Sequence, residues 1–501
     1  MRLTAYLTFA AEELLRSELS YLSQVTDYDT SWAARLTNGD GSLAYPDLLE
    51  KLASRQHPDG SWGGRVPYGY DRLLTTLSVV LLLARVGSRH RDHEQRAIGE
   101  RYIWQHADKL EREVHRTVGF EMILPTLLKE GEELGLDLPY AQLRHYEAER
   151  TKKLSLLPTR QLFQRRTAAL FSLEAFAGDV DLDGVANLLS EDGSVIGSPS
   201  ATAWFLGQVP DWRARYPKSA TYLEGLLARY KVGLPTVAPY DVFARAWVLY
   251  YLRYADLLDD HKDLAHSHHE HLMGCWGPEG VGTSSNALPD SDDTAMVLLA
   301  LHPAGYEVDG TPLLSYERDE HFAVFGHERD PSISANLHIL EALETLPERD
   351  RARVRDKIVS YVLGERHYDS YWSDKWHASV YYPTSQALMA LLPYAANQMD
   401  ETLLWLFSTQ QPDGSWGYYG PTSEETALVL LALLLYHRNA RPLPSDPLQR
   451  AARYLLQNEN SFRNDYPELW IAKVLYAPTS VIRSIILAAL KLYADTFGEP
   501  A

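Results

Sequence analysis

Apolar residues along the chain recur mainly at helical spacing. Leu73–Ala84, Ala168–Phe176, Ala295–Leu301, Ala427–Tyr436 and Val481–Tyr493 are apolar along one helical face or apolar all round. These segments predict helices, and those lacking a polar face predict helices enclosed by other helices. No stretch sustains the two-residue alternation of a half-buried strand. No glycine-rich strand-to-helix turn occurs either, so a Rossmann or P-loop arrangement has no support. The expected fold class is all-α, with helices in layers as in an α/α-barrel or solenoid. The longest apolar runs reach about half of the ~20 residues a membrane span requires, so none is expected.

A repeat interrupts the helical pattern. Gln56-His57-Pro58-Asp59-Gly60-Ser61-Trp62-Gly63 recurs as Gln410-Gln411-Pro412-Asp413-Gly414-Ser415-Trp416-Gly417. A worn copy reads Glu191-Asp192-Gly193-Ser194-Val195, and Cys275-Trp276-Gly277 is a fainter one. Pro-Asp-Gly-Ser is turn chemistry, in which Asp and Ser side chains take up free amides. A helix start follows, as at Thr422-Ser423-Glu424-Glu425, which has the form of a capping box. These motifs are expected to staple helix pairs: Gln bonds the turn and Trp closes over the next helix. Val232–Asp241, with its two prolines, is the compositional candidate for a domain boundary.

Composition narrows the function classes. The 501 residues carry 48 Lys plus Arg against 67 Asp plus Glu, a net charge of −19. That balance argues against nucleic acid and against anionic lipid as partners. The single cysteine, Cys275, excludes a disulfide framework and any Cys-based zinc site, and fits a reducing cytoplasm. The opening MRLTAYLTFAAEELL carries acids where a signal peptide needs its cleavage site. A cytoplasmic location is therefore expected. Twelve Trp and 31 Tyr are an unusual wealth of large aromatic rings.

The segment richest in chemistry is Pro289-Asp290-Ser291-Asp292-Asp293-Thr294-Ala295-Met296. Three readings fit it. Proline and acids before an apolar run make a helix N-terminus, with anions on the positive end of the dipole. Clustered carboxyls also suit Mg²⁺. Alternatively, three carboxyls within four residues cannot all ionise cheaply, so one keeps its proton and acts as a strong general acid.

Asp290-Ser291-Asp292-Asp293-Thr294-Ala295 resembles the DxDDTA signature of class II terpene cyclases, and the two QxxDGSW segments resemble that superfamily's repeat. Tyr28–Ala34, Val118–Glu121, Leu134–Tyr140, Ser198–Ala203 and Asp374–His377 resemble class II diterpene cyclases in particular and run in that family's order. The resemblance implies a double α/α-barrel without a class I α domain: a β domain of residues 1–40 plus 256–501, and an inserted γ domain of 41–255, with the active site between them. It implies an isomerase of the intramolecular lyase type. Such an enzyme protonates the terminal alkene of geranylgeranyl diphosphate and leaves the diphosphate intact. By the family pattern Asp292 donates the proton while Asp290 and Asp293 hold and tune it.

The same resemblance implies candidate supporting residues. Trp204, Tyr240, Trp276, Trp376, Tyr381 and Tyr382 lie in or near family-like segments. They are candidates for a pocket wall that stabilises a carbocation through cation–π attraction, worth roughly 0.5–2 kcal/mol per ring. Glu121 is the candidate ligand for Mg²⁺, and Lys375 for the diphosphate. Plant copalyl-type cyclases hold a deprotonating water with His and Asn; here those positions fall on Phe171 and Thr236. A phenyl ring accepts no proton, so a rearranged bicyclic product of kolavenyl or halimadienyl type is expected in preference to plain copalyl diphosphate. A separate class I synthase or phosphatase would then remove the diphosphate.

Asp259-Asp260-His261-Lys262-Asp263 spells the DDxxD metal motif of class I synthases, but it sits in a charged run that also holds His266, His268 and His269. It reads as a solvated face. Two competing functions remain open: a squalene-hopene-type triterpene cyclase, disfavoured by the shorter chain and only two full repeats, and a binding protein on the same scaffold, disfavoured by the intact acid triplet.

Overall fold

A computed structural model describes residues 3–110, 113–156, 162–326, 328 and 330–499. Helix accounts for 61% of the structure. The strands among the described residues are two antiparallel pairs of two residues each: Val25–Thr26 with Leu234–Pro235, and Trp470–Ile471 with Leu475–Tyr476. The all-α expectation is met, because no segment offers the alternation a longer strand needs. Among the described residues no helix is long and apolar enough to cross a membrane.

The chain divides into two compact units. The first comprises Met1–Ser23, Pro239–Leu469 and Ala477–Ala501. Its inner helices are Asp241–Arg253, Ser291–Leu301, Ile333–Glu341, Tyr381–Ala390, Ser423–Asn439 and Thr479–Phe497. Each packs on the next and the last returns to the first, which closes an α-barrel. Leu3–Arg16, Lys262–Cys275, Glu348–Gly364 and Ser445–Gln457 pack outside this ring. The apolar-all-round segments supply the inner helices: Ala427–Tyr436 is buried throughout.

The second unit comprises Gln24–Ala238 and Trp470–Tyr476. Its inner ring is Asp27–Ala33, Gly69–Val86, Phe120–Glu133, Ala168–Phe176 and Pro199–Gly207, again closed on itself. The boundaries expected from sequence, 40/41 and 255/256, differ from those of the compact units, which divide at 23/24 and 238/239, with 470–476 returning to the second. The helix Asp27–Ala33 packs against Gly69–Val86 and Pro199–Gly207, so the chain from Gln24 belongs with them. Ala168–Phe176, expected as a helix, forms 3₁₀ turns broken at Ser172. The Lys473 ammonium and the Ser198 hydroxyl both donate to the Phe171 carbonyl, drawing it away from helical bonding.

The repeat is structural in both units. The Asp59 and Asp413 carboxylates accept from the N–H and hydroxyl of Ser61 and Ser415. Gln56 donates to the Gly60 and Gln95 carbonyls, and Gln410 to those of Gly414 and Pro447. Gly60 and Gly414 hold φ near +93° and +94°, and a Cβ at Gly414 would stand 2.5 Å from the Arg450 backbone. The fully buried Trp62 and Trp416 send their indole N–H back to the preceding helix, to Leu52 and Leu406, rather than over the next one.

The link forward runs through the backbone. At six turns among the described residues an N–H donates at 2.8–3.0 Å to a side chain on the following inner helix. The pairs are Trp62–Thr76, Val195–Thr202, Val281–Thr294, Phe322–Asn336, Trp372–Thr384 and Trp416–Thr426. Thr294, the threonine of the DxDDTA segment, thus belongs to the staple.

Candidate active site

The three acids open the inner helix Ser291–Leu301. Asp290 is its N-cap: extended backbone (φ −142°, ψ 166°) lets its carboxylate accept from the Asp293 N–H at 2.8 Å. The Asp290 N–H donates to the Val281 carbonyl, and Ser291 bonds the backbone at Ala323 and Val324. Asp290 and Asp293 are 2% and 3% exposed.

Burial, and then the charges of the other acids, push both carboxyls well above the ordinary carboxylate range. Asp290 accepts the Asp293 N–H, which favours its charged form, whereas burial and the two neighbouring acids all favour the neutral form of Asp293. Asp293 Oδ1 meets no hydrogen-bond partner. The capping and general-acid readings therefore describe different members of one cluster.

Asp292 differs from its neighbours. It keeps 14% of its side-chain surface, and its Oδ1 lies 2.6 Å from Nδ1 of His338, whose side chain is fully buried. His338 stands on the inner helix Ile333–Glu341, whose N-terminus is capped by Asp374: the carboxylate accepts from the Ile333 and Ser334 amides and from both serine hydroxyls, Ser332 and Ser334. The other imidazole nitrogen, Nε2, has no partner. An aromatic row on Asp241–Arg253 leads to this imidazole. Tyr240 stacks on Phe243 at 4.4 Å, Phe243 on Trp247 at 4.0 Å, and Trp247 meets His338 edge to face at 5.7 Å. A half-buried carboxyl that keeps some accessible surface, a buried hydrogen-bond partner and a row of aromatic faces can deliver a proton to an apolar acceptor and then tolerate the positive charge it creates.

The profile of the squalene-hopene cyclase C-terminal domain matches residues 321–432. A type B diterpene cyclase of Mycobacterium tuberculosis is 33% identical over 94% of this chain and 96% of its own. The (+)-kolavenyl diphosphate synthase of Herpetosiphon aurantiacus is 31% identical over 94% of each chain. Among solved structures, the ent-copalyl diphosphate synthase from Streptomyces platensis superposes with a TM-score of 0.80 at 31% identity, over 98% of this chain and 99% of that one. The chain belongs to the class II diterpene cyclases. The double α-barrel follows, since it is the fold of these structural neighbours.

The other candidate residues of the cyclase separate by geometry. In the first unit Tyr382 is fully buried, stacks on His377 at 4.8 Å, and its hydroxyl is pushed up by burial and by neighbouring charges including Asp292. Tyr381, one residue earlier and about 100° around the helix, packs instead on Trp405 of Asp400–Ser408 at 5.1 Å, as core. Trp376 is half-buried with an unpartnered indole N–H, and Trp276 is half-buried at the end of Lys262–Cys275. Lys375 is drawn onto Glu328 and the Asp330 carbonyl, with 12% of its side chain exposed. It is neither a free surface lysine nor, in this arrangement, a free ammonium.

In the second unit Trp204 and Thr236 are buried, and the Thr236 hydroxyl has no partner. Phe171 is half-buried, with the Lys473 ammonium 4.7 Å from its ring centroid. Glu121, in the first turn of Phe120–Glu133, is paired with Lys153. Mg²⁺ takes several oxygen ligands. A single carboxylate already neutralised by an ammonium does not fit a resident Mg²⁺ site. The DDxxD run is exposed at Asp259, Asp260, Lys262 and Asp263, as a solvated face should be.

Sequence reasoning missed His338, Trp247 and the capping role of Asp374. The available signal was a histidine inside the apolar run Ile333–Leu343, where a polar group needs a partner to be buried.

Proposed function

We propose that this cyclase converts geranylgeranyl diphosphate to a bicyclic diterpenyl diphosphate, with the diphosphate retained. The observation that carries the reading is Asp292, the accessible acid of the triplet, held by a buried histidine. Asp292 gives its proton to the terminal alkene from the oxygen that His338 does not engage. His338, with its proton on Nδ1, donates to Oδ1 as the carboxylate forms and so stabilises the charge that appears only in the transition state. Asp290 caps the helix and Asp293 keeps the site's own proton, so the new anion does not face two others. The Tyr240–Phe243–Trp247 row offers ring faces that stabilise a cation without attacking it.

The rearranged skeleton, kolavenyl or halimadienyl in type, is supported by Phe171: its ring accepts no proton and its carbonyl is occupied by Lys473 and Ser198. A cation not quenched there undergoes hydride and methyl shifts. A copalyl-type product is the second reading, favoured by the likeness to ent-copalyl diphosphate synthases along nearly the whole chain. Mg²⁺ would accompany the diphosphate as its counter-ion. The product, with its allylic diphosphate intact, calls for a class I synthase or phosphatase downstream, in the reducing cytoplasm that a single cysteine fits.

The test is incubation with geranylgeranyl diphosphate and Mg²⁺, dephosphorylation, and gas chromatography–mass spectrometry beside Asp292→Ala. A bicyclic alcohol absent from the variant supports the reading, and its skeleton chooses between the two products. Recovery of linear geranylgeraniol alone, or full activity in Asp292→Ala, refutes it.

A further inference from the structure

Three metal-ligating side chains of different chemistry converge in the first unit, apart from the acid triplet. His271 and Cys275 stand one turn apart on Lys262–Cys275, and Asp241 opens the inner helix Asp241–Arg253. Asp241 Oδ2, His271 Nε2 and Cys275 Sγ lie within 4.8 Å of one another, with 3.0 Å from carboxylate to imidazole and 3.8 Å from imidazole to thiol. Tetrahedral zinc with bonds of about 2.0–2.3 Å requires donor–donor edges of roughly 3.3–3.6 Å. The carboxylate–imidazole and imidazole–thiol edges lie a few tenths of an ångström to either side, and the carboxylate–thiol edge is within 4.8 Å.

The geometry also separates a metal site from a nucleophile. A Cys–His–Asp relay needs the two ring nitrogens to face the two partners. Here one nitrogen, Nε2, faces both the carboxylate and the thiol, as three donors around a shared centre do. We infer that Asp241, His271 and Cys275 form a binding site for a zinc-class divalent cation, with a fourth position open to water.

Metal ligation displaces the protons of the His271 Nε2 and the Cys275 thiol to solvent. Arg245 bonds the Ser20 hydroxyl and the Asp241 carbonyl beside the cluster. Asp241 Oδ1 is held by the Ser285 N–H, which orients Oδ2 toward the other donors. Mixed S, N and O donors select zinc or cobalt and reject Mg²⁺, which prefers oxygen. With 37% of the His271 side chain exposed, an ion has a path in. The single cysteine, which by sequence excluded a Cys-based zinc site, suffices for a mixed one. The bound ion would tie two helices to the loop at Ser285, which runs on to the Asp290 cap.

Because Cys275 is the only cysteine, thiol alkylation of the full-length chain reads this site alone. Stoichiometric Zn²⁺ added to metal-stripped protein is expected to slow alkylation at least about tenfold by tying up the thiolate, and Mg²⁺ to leave it unchanged. Co²⁺ is expected to give a thiolate-to-metal charge-transfer band that Cys275→Ser abolishes. Zn²⁺ protection is expected to vanish in His271→Ala and Asp241→Asn. Equal alkylation rates with and without Zn²⁺, a Co²⁺ spectrum unchanged in Cys275→Ser, or full protection in folded His271→Ala overturns the site. Should the His271 variant not fold, the Zn²⁺–Mg²⁺ contrast and the Co²⁺ spectrum of the native chain decide.

Discussion

Replacing His338 by phenylalanine keeps a ring of similar size against Trp247 and deletes the Nδ1 donor to Asp292. The bond is short, 2.6 Å, and the histidine is wholly buried. A hydrogen bond to a charged group is worth about 1.5–3 kcal/mol. The carboxylate exists only once the proton has moved, so this energy belongs to the transition state and not to substrate binding. At about 1.4 kcal/mol per decade, kcat should fall roughly 10- to 150-fold with KM little changed. Because Asp292 keeps some accessible surface, water can solvate it and the variant should fold, which a thermal melt checks. Steady-state rates of bicyclic alcohol formation after dephosphorylation measure the effect. His338→Asn, which restores an N–H, should recover part of the rate. A phenylalanine variant at native kcat, or one impaired in KM alone, would refute the assignment.

Asp293→Asn tests the buried proton. Folded Asp293 titrates well above its unfolded value near 4, so as pH rises the unfolded chain ionises first and stability falls from about pH 4 upward. The variant removes that loss: its melting temperature should exceed the native one by more at pH 8 than at pH 5, while turnover collapses, and an equal offset at both pH values counts against the raised carboxyl. Trp416→Phe deletes the indole bond to the Leu406 carbonyl, which keeps only its longer contact with the Thr409 hydroxyl, at a cost of about 0.5–1.5 kcal/mol in urea unfolding with kcat per folded molecule unchanged. Lys473→Met strands the buried Glu174 carboxylate and should cost about 3–5 kcal/mol, part of which Glu174→Gln restores in the double variant; equal stability of single and double variants contradicts the pair. Phe171→His should shift the product toward an earlier-quenched skeleton, and an unchanged gas chromatogram removes Phe171 from the termination step.

The staple illustrates how much a turn motif says and where it stops. Asp59 with Ser61, and Asp413 with Ser415, interact two residues apart, so the turn is readable from a handful of letters. The Trp372 turn makes the same two bonds, to Val362 and Thr384, without the Pro-Asp-Gly-Ser letters and with its positive φ at Tyr368 and Asp369, whereas Ser370 stands where Gly414 does. The two bonds are thus shared by turns whose sequences and local backbones have diverged. Lys375 is the opposite case. A basic residue in a family-like segment read as a diphosphate ligand, yet Glu328, on a loop far along the chain, already holds it.

By itself the sequence determined the helical class, the apolar inner helices, the capping turn at Asp290 and the crowding of three carboxyls, since each depends on groups within about one helical turn of each other. Tertiary structure decided the partners. His338 reaches Asp292 across 46 residues, and Lys473 reaches Glu174 across 299. Asp241 meets His271 and Cys275 only because two helices separated by a loop lie side by side. Which donor faces which acceptor at such separations is set by the order in which a ring of helices closes. No local preference encodes that order, so the acid was legible in the chain and the group that governs it was not.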